Sequence, residues 1–387
     1  MLKLGGTDLE FRNWPADREK LIARVSDQPH RVRPLREGEA YLVKGETPPP
    51  GFRCYLAIRS HADLLAGLSD DEMQVVLPDE YDYLADGDVV RLIPGQNRIR
   101  VIYRRRSRHN SFLTTERCNN YCLMCSQPPR EIDDSWIVDE ILETIPLMDP
   151  ATAEIGLTGG EPTLLGADFF RILKMLAAYL PRTAIHILSN GRQFADPDFA
   201  QRYAEVGHSD MMVGIPIYSD VSTVHDYVVQ ADGAFDETIQ GILNLKRLRQ
   251  RVEVRVVVHK QTYQRLPQLA EFLARNLTFV DHIALMGLEI TGFTKPNRRD
   301  LWIDPADYQS ELYQAATLLA GHRMHVSIYN HQLCLLDPRL MPLAKKSISD
   351  WKNEYMPECA DCREMNSCGG FFSSAKLRYS DHIKPFL

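Results

Sequence analysis

The sequence has no long apolar run, no block of like charges, no internal repeat and no low-complexity segment. Its apolar stretches are shorter than the ~18 residues that a membrane-spanning helix needs. The first residues lack the apolar stretch and small-residue cleavage site of a secretory signal. The net charge of −7 is spread along the 387 residues rather than gathered in a tail. We therefore expect a cytoplasmic protein with no membrane and no nucleic-acid partner.

The remaining composition is that of an ordinary globular protein, with 44% hydrophobic and 25% charged residues. At roughly 150 residues per domain, the length predicts two or three domains. Disulfides are rare in a reducing compartment, so the 8 cysteines are better interpreted as metal ligands. Cys54 is the exception, because it stands alone among apolar residues and is predicted to be a buried hydrophobic side chain.

Three cysteines stand close together with no fourth cysteine nearby. Cys118, Cys122 and Cys125 have the spacing C-x3-C-x2-C. Thiolates select zinc, copper(I) or iron-sulfur centres, and structural zinc takes four ligands that usually come as two close pairs. Zinc is therefore the less favoured alternative. Three thiolates on a four-iron cube leave one iron open, and a small molecule would complete its coordination.

The pattern along the chain predicts three regions. Residues 1–108 have short alternating runs and frequent turn signals, which predict a β-rich domain. In residues 109–298, apolar strands alternate with amphipathic helices, which predicts βα units around a parallel sheet. Residues 299–387 add helices, a short strand near 325–329 and a cysteine-rich tail. Strands are expected near 111–115, 153–158, 184–189, 211–218, 252–259 and 282–287, and helices near 136–147, 167–179, 198–206, 234–249 and 265–276.

Six βα units are too few to close an eight-stranded barrel, so we predict an α/β fold with an open, partial (β/α)6 barrel. In such a fold the functional residues lie at the carboxyl ends of the strands. Two motifs follow this rule beside the cysteine loop, namely Gly159-Gly160-Glu161-Pro162 after the second strand and Ser189-Asn190-Gly191 after the third. Either motif alone would be an ordinary turn.

Together, these three motifs resemble those of the radical S-adenosylmethionine (SAM) enzymes over about residues 111–290. The resemblance implies a [4Fe-4S] cluster on Cys118, Cys122 and Cys125, with SAM bound to its open iron. Gly159, Gly160 and Glu161 would hold the methionyl amine of SAM, and Ser189 and Asn190 its ribose or carboxylate. One departure is Met124, where the family usually has an aromatic residue.

The same resemblance implies the chemistry. An electron supplied by an external donor would pass through the cluster and cleave SAM to methionine and a 5′-deoxyadenosyl radical, which abstracts a hydrogen atom from the substrate. No residue is assigned as a catalytic acid or base. His208, His225, His259 and Tyr218 lie near predicted strand ends, but a lone histidine is usually a packed or solvated side chain.

The tail carries a second group of cysteines. Cys359, Cys362 and Cys368 have the spacing C-x2-C-x5-C, and Cys334 precedes them. The group is similar to the auxiliary [4Fe-4S] sites of peptide-modifying family members, and Cys334 could be the fourth ligand. A structural zinc site is the alternative, because C-x2-C is also a zinc knuckle.

Longer stretches resemble the radical maturase of the His-Xaa-Ser peptide system. They are 115–129, Tyr329-Asn330, 333–336, 347–353 and 368–372. The resemblance implies a ribosomally made precursor peptide as substrate and a sister radical SAM maturase as partner. The N-terminal domain could dock the peptide as an added strand. Two alternatives stay open: a radical SAM enzyme acting on a small molecule or RNA base, and a non-catalytic partner that carries clusters.

Overall fold

The computed structural model describes residues 2–45, 48–350 and 352–387. Trp351, which falls in one of the stretches quoted for the maturase resemblance, lies outside the described residues. The strands are β1 Gly5–Gly6, β2 Glu10–Arg12, β3 Leu21–Ser26, β4 Glu39–Leu42, β5 Cys54–Ile58, β6 Gln74–Leu77, β7 Val89–Ile93, β8 Arg98–Tyr103, β9 Asn110–Leu113, β10 Glu154–Thr158, β11 Ala184–Leu188, β12 Met211–Pro216, β13 Arg251–Val258, β14 His282–Gly287, β15 Val326–Tyr329, β16 Ala344–Lys345, β17 Asn353–Glu354 and β18 Phe371–Phe372.

The α-helices are α1 Arg33–Arg36, α2 Trp136–Thr144, α3 Ala167–Tyr179, α4 Pro197–Ala204, α5 Ser222–Val229, α6 Ala234–Arg247, α7 Leu266–Asn276, α8 Arg298–Leu301 and α9 Gln309–Gly321. In the part of the chain that the structure describes, none of the helices combines the length and the apolar character needed to cross a bilayer.

The N-terminal region forms a mixed sheet of eight strands in the order β1-β8-β7-β3-β4-β5-β6-β2. β3, β4, β5 and β6 run parallel to one another, and the outer strands pair antiparallel. Its two edges are the shortest strands, β1 and β2. An edge strand leaves a row of backbone N–H and C=O groups without a partner in the sheet.

The second sheet is entirely parallel and open, in the order β16-β15-β14-β13-β12-β11-β10-β9. It confirms the predicted α/β half-barrel and extends it, since it has eight strands rather than six. The two additional strands, β15 and β16, continue the sheet after β14. The strand predicted near 325–329 is therefore present, but it belongs to the half-barrel rather than to a separate module.

The helices cover one face of this parallel sheet. Alternate strand residues point to opposite faces, and the set facing the helices is apolar and buried. It includes Ile155, Leu157, Ile185, Ile187, Val213, Ile215, Val252, Val254, Val256, Ile283 and Leu285. Burial of this apolar layer supplies the main driving force for folding the half-barrel. We call the opposite face, which carries His186, Gly214, Glu253 and His282, the inner face.

A buried carboxylate on α2 connects the helices of the half-barrel to the N-terminal sheet. Glu140 of α2 accepts a hydrogen bond from Arg91 Nη1 at 2.6 Å and lies 3.0 Å from Arg100 Nη1, and both arginines come from the N-terminal sheet. The Arg91 guanidinium also lies over the Trp136 ring, 4.6 Å from its centroid. Because Glu140 is almost fully buried, loss of either arginine would leave part of its charge uncompensated.

Candidate functional site

The first cysteine group lies in a loop that leaves the carboxyl end of β9. The loop begins where Thr114 N donates to Thr158 O at 2.8 Å, next to the end of β10. The buried Asp134 carboxylate then accepts hydrogen bonds from Thr115 Oγ1 at 2.8 Å and from Glu116 N at 2.5 Å. These hydrogen bonds fix the path of the chain that leads to Cys118, so the start of the loop has a defined conformation.

Backbone pairing with α5 holds the middle of the loop. Tyr121 N donates to Val229 O and Leu123 N donates to Val228 O, each at 2.9 Å. Met124, which departs from the family pattern, is buried in a small apolar cluster with Tyr218 and these two valines. The unusual methionine therefore packs the loop against the half-barrel.

The segment that follows β14 holds the end of the loop. Phe293 N donates to Cys125 O at 2.9 Å, Thr294 Oγ1 donates to Met124 O at 3.2 Å, and Asn297 Nδ2 donates to Leu123 O at 2.9 Å. The loop is thus clamped between elements that follow β12 and β14, and its three cysteines lie at the edge of the sheet where the sequence predicts the site.

The three thiols are free and partly buried. Burial raises the pKa of Cys118 to about 11 and also raises the pKa of Cys122 and of Cys125. The charges of Cys118 and Cys125 add to the rise in the pKa of Cys122, so the thiols lie within electrostatic reach of one another. Among residues 2–45, 48–350 and 352–387, no group of three or more Cys, His, Asp or Glu side chains could hold a metal ion in the geometry seen.

The Gly159-Gly160 pair lies against the start of the cysteine loop. Gly160 N donates to Thr115 O and Glu161 N donates to Arg117 O, each at 2.8 Å. A Cβ on Gly160 would collide with the Arg117 carbonyl oxygen, and one on Gly159, whose φ is +138°, would collide with the Thr115 carbonyl oxygen. Glycine is required here because two backbones touch.

Glu161 connects the second motif to the third. Its Oε1 accepts hydrogen bonds from Thr163 N at 3.0 Å, Thr163 Oγ1 at 2.6 Å and Ser189 Oγ at 2.8 Å. Its Oε2 accepts one from Asn190 N at 2.6 Å. Burial raises the pKa of Glu161, and these donors oppose the rise. The sequence placed Glu161, Ser189 and Asn190 at one site, and the structure brings them into direct contact.

Three residues that the sequence analysis did not select complete the connection to the cysteine loop. Asn190 Nδ2 donates to Asn119 Oδ1 at 2.6 Å. Arg192 Nη1 donates to Asn119 O and to Asn120 Oδ1, each at 2.7 Å. No sequence signal could have identified these partners, because their pairing depends on how two strand ends meet in space. The cysteine loop, Glu161 and the Ser189-Asn190 turn therefore form one hydrogen-bonded unit.

The candidate histidines have different surroundings. His208 Nε2 lies 3.2 Å from Leu180 O, in the connection that precedes β12. His225 Nδ1 accepts from Tyr218 N at 3.2 Å, and His259 is fully buried, with no hydrogen-bond partner for either ring nitrogen among the residues that the structure describes. Burial lowers the pKa of both His225 and His259 to about 4. Both histidines are therefore neutral groups that pack around Tyr218.

The four tail cysteines line one pocket, where Cys334 lies with Cys359, Cys362 and Cys368. Two backbone N–H groups point at sulfur: Leu333 N lies 3.5 Å from Cys368 Sγ, and Phe386 N lies 3.4 Å from Cys362 Sγ. Cys54 is fully buried in the N-terminal sheet, as predicted.

The chain is similar to known proteins in two of three comparisons. Residues 112–273 match the model of the Radical SAM superfamily. A search of curated proteins found no significant match. Among solved structures, Streptococcus suis SuiB bound to S-adenosylmethionine matches at 16% identity with a TM-score of 0.46, over 57% of this chain and 50% of that chain.

Two further solved structures match over similar spans. Native anSMEcpe with bound AdoMet matches at 15% identity with a TM-score of 0.45, over 57% of this chain and 63% of that one. HemN from Escherichia coli, a coproporphyrinogen III oxidase described as a radical SAM enzyme, matches at 15% identity with a TM-score of 0.43, over 58% and 54%. The match thus spans about half to three fifths of the length of these proteins.

Proposed function

Because residues 112–273 match the model of the Radical SAM superfamily, we propose that this protein is a radical SAM enzyme that modifies residues of a ribosomally synthesised precursor peptide. The observation that carries the proposal is the presence of two cysteine groups in one chain. Three thiols lie at the carboxyl edge of the half-barrel, and four line a single pocket in the tail. Soft thiolate ligands in sets of three and four suit two iron-sulfur clusters.

The first group fits a [4Fe-4S] cluster with an open iron. Cys118, Cys122 and Cys125 would hold it, and binding would draw the thiols together and displace their protons. The cluster, once bound, supplies the electron that cleaves SAM to a 5′-deoxyadenosyl radical. Met124 of the loop and Tyr218 lie in one buried apolar cluster, which holds the cysteine loop against the half-barrel.

The hydrogen-bonded unit around Glu161 fits SAM. Gly159, Gly160 and Glu161 would bind the methionyl amine, and Ser189 and Asn190 the ribose or carboxylate. Among the described residues, Glu161 Oε2 has a single donor, the Asn190 N–H. A carboxylate oxygen can accept about two hydrogen bonds, so Oε2 retains capacity for a cationic amine.

The second group fits an auxiliary [4Fe-4S] cluster held by Cys334, Cys359, Cys362 and Cys368. Four thiolates would leave no iron open, so this centre would relay electrons or hold the tail rigid rather than bind substrate. The N–H groups of Leu333 and Phe386 would then tune its potential, because hydrogen bonds to cluster sulfur change the reduction potential.

The substrate and partner assignments extend this proposal. A precursor peptide would dock along an edge of the N-terminal sheet, where β1 and β2 are the terminal strands. Backbone pairing would supply affinity there, and side-chain pockets would set the register. A sister radical SAM maturase and an external electron donor would complete the system.

Mass spectrometry of a candidate precursor peptide co-expressed with the protein tests the proposal. We expect a mass change with the wild-type protein and with Cys54→Ala, which removes a thiol far from both cysteine groups. The change should vanish with Cys122→Ala. A peptide that is unmodified by the wild-type protein, or modified equally by Cys122→Ala, would contradict the proposed function.

A further inference from the structure

The inner face of the half-barrel carries a charged cluster that the chemistry at the cysteine loop does not use. It consists of His186 on β11, Glu253 and Arg255 on β13, and His282 on β14. Their neighbours along the strands, such as Val254, are buried under the helices. The cluster therefore lies on the face that the helices leave uncovered.

Glu253 is the centre of this cluster, and its side chain is 4% exposed. Its carboxylate accepts hydrogen bonds from His282 Nδ1 at 2.6 Å and from Arg255 Nη1 at 2.5 Å. His186 Nε2 lies 3.4 Å from Oε1. Burial by itself would raise the pKa of Glu253, but the two histidines and the charge of Arg255 lower it. The ionised carboxylate thus fixes the orientation of Arg255.

Gly214 allows the cluster to form across β12. A Cβ at this position would lie 2.9 Å from Arg255 Cδ and 3.0 Å from His186 Nε2. The glycine is needed for space, because the two side chains meet directly over its Cα. The cluster is therefore a feature of four adjacent strands, β11 to β14, and not a chance approach of surface side chains.

Arg255 retains open hydrogen-bonding capacity. In the described part of the chain its guanidinium has Glu253 as its one hydrogen-bond partner, through Nη1. A guanidinium has five N–H donors in a planar fork, and the side chain is 22% exposed. Such a fork matches the two oxygens of a carboxylate. The remaining donors are thus available to an anion on the inner face.

The position of Arg255 relates it to the candidate site. Arg255 lies three residues before the end of β13, and His186 lies three residues before Ser189. At ~3.3 Å per residue, Arg255 lies ~10 Å below the end of β13, and His186 lies ~10 Å below Ser189. The buried Tyr218 is within electrostatic reach of both Arg255 and Cys122. A molecule bound at the strand ends could therefore extend down to Arg255.

Stability does not account for the cluster. Replacing a buried ion pair with well-packed apolar residues is often neutral or stabilising, and the outer-face positions of the same strands are apolar. The charged set at the centre of the inner face is better explained by a ligand.

We propose that the inner face holds a carboxylate-binding subsite in which Arg255, oriented by Glu253, binds the ligand. The carboxylate belongs to an acidic residue of the peptide substrate. The identity of the ligand rests on the proposed function, whereas the subsite itself rests on the cluster alone.

Calorimetric titration of the anaerobically reconstituted full-length protein tests this subsite. The probes are N-acetylglutamate methylamide, its glutamine counterpart, and SAM. The variants are Arg255→Gln and Arg255→Lys, and Arg247→Gln on the exposed side of α6 is the matched control. Losing a charge-assisted pair should weaken carboxylate binding roughly ten- to hundredfold in Arg255→Gln. Arg255→Lys should recover part of the loss, because an ammonium keeps the charge but not the fork.

The outcomes distinguish a substrate site from a cofactor site and from a purely structural cluster. Weakened binding of the glutamate probe, with no binding of the glutamine probe, assigns the subsite to the substrate. Weakened binding of SAM alone assigns it to the cofactor and contradicts the proposal. If both variants bind all probes as the wild type does, or lose only unfolding free energy, the cluster is a brace within the sheet and the proposal is wrong. These titrations need no peptide modification, so their failure is distinct from failure of the proposed function.

Discussion

Removal of the Glu161 carboxylate should destabilise the protein before any cofactor is considered. Glu161→Ala would leave the N–H groups of Thr163 and Asn190 buried without an acceptor. Each stranded donor costs about 1–3 kcal/mol, so the two together cost about 2–6 kcal/mol. Glu161→Gln would keep one acceptor oxygen and should lose about 1.5–3 kcal/mol. Ser189→Ala removes one donor to Glu161 and leaves the Gly191 N–H, which donates to Ser189 Oγ at 3.0 Å, without its acceptor, so it should lose about 1–3 kcal/mol.

Urea unfolding of the cofactor-free variants, followed by circular dichroism, measures these free energies. The matched control is Glu143→Gln, because Glu143 is an exposed glutamate paired with Lys20 and should change stability by less than about 1 kcal/mol. The reasoning would be refuted if Glu161→Ala lost no more than the control. In that case the carboxylate would not connect the second and third motifs.

Three further changes give distinct results. Gly160→Ala places a Cβ against a carbonyl oxygen of the cysteine loop. It should lower the free energy of unfolding by about 1–3 kcal/mol and should also lower the amount of bound iron. The control Gly95→Ala should change neither quantity, because a Cβ there meets no other atom of the described residues. Burial lowers the pKa of His259 to about 4, below the ~6.5 of an unfolded histidine. Up to about 3 kcal/mol of stability is therefore lost as the pH falls from ~6.5 towards 4. His259→Leu should reduce the difference between urea midpoints at pH 7 and pH 5, and the exposed His30→Leu should leave it unchanged. Cys334→Ala should lower bound iron by about four atoms per chain; unchanged iron and sulfide would show that the tail pocket does not need this thiol.

Much of the half-barrel could be predicted because its strands and helices are long and periodic. The strand expected at 282–287 and the helix expected at 167–179 have those bounds in the structure. β16 has two residues, too few for any periodicity. α5 follows closely on a strand and is rich in valine, which favours strands. Local sequence signals therefore identify long elements and miss short or ambiguous ones.

The residues of the candidate site likewise fall into those that the sequence predicts and those that it does not. The cysteines, Glu161 and Asn190 stand in motifs at strand ends, so chain position alone places them at one edge of the sheet. Arg192 and Asn119 carry no such signal, because their role depends on side-chain partners more than 70 residues apart in sequence. The strand containing Glu253 and Arg255 was predicted as apolar from its valines, and only the register of the sheet shows which face its charges occupy.

Electron paramagnetic resonance of the anaerobically reduced protein tests most directly whether three thiols hold a cluster with an open iron. We predict an iron-sulfur signal that changes when SAM is added, and a Cys122→Ala variant that keeps only a signal insensitive to SAM. Zinc without acid-labile sulfide, or a signal that SAM leaves unchanged in the wild-type protein, would contradict the account.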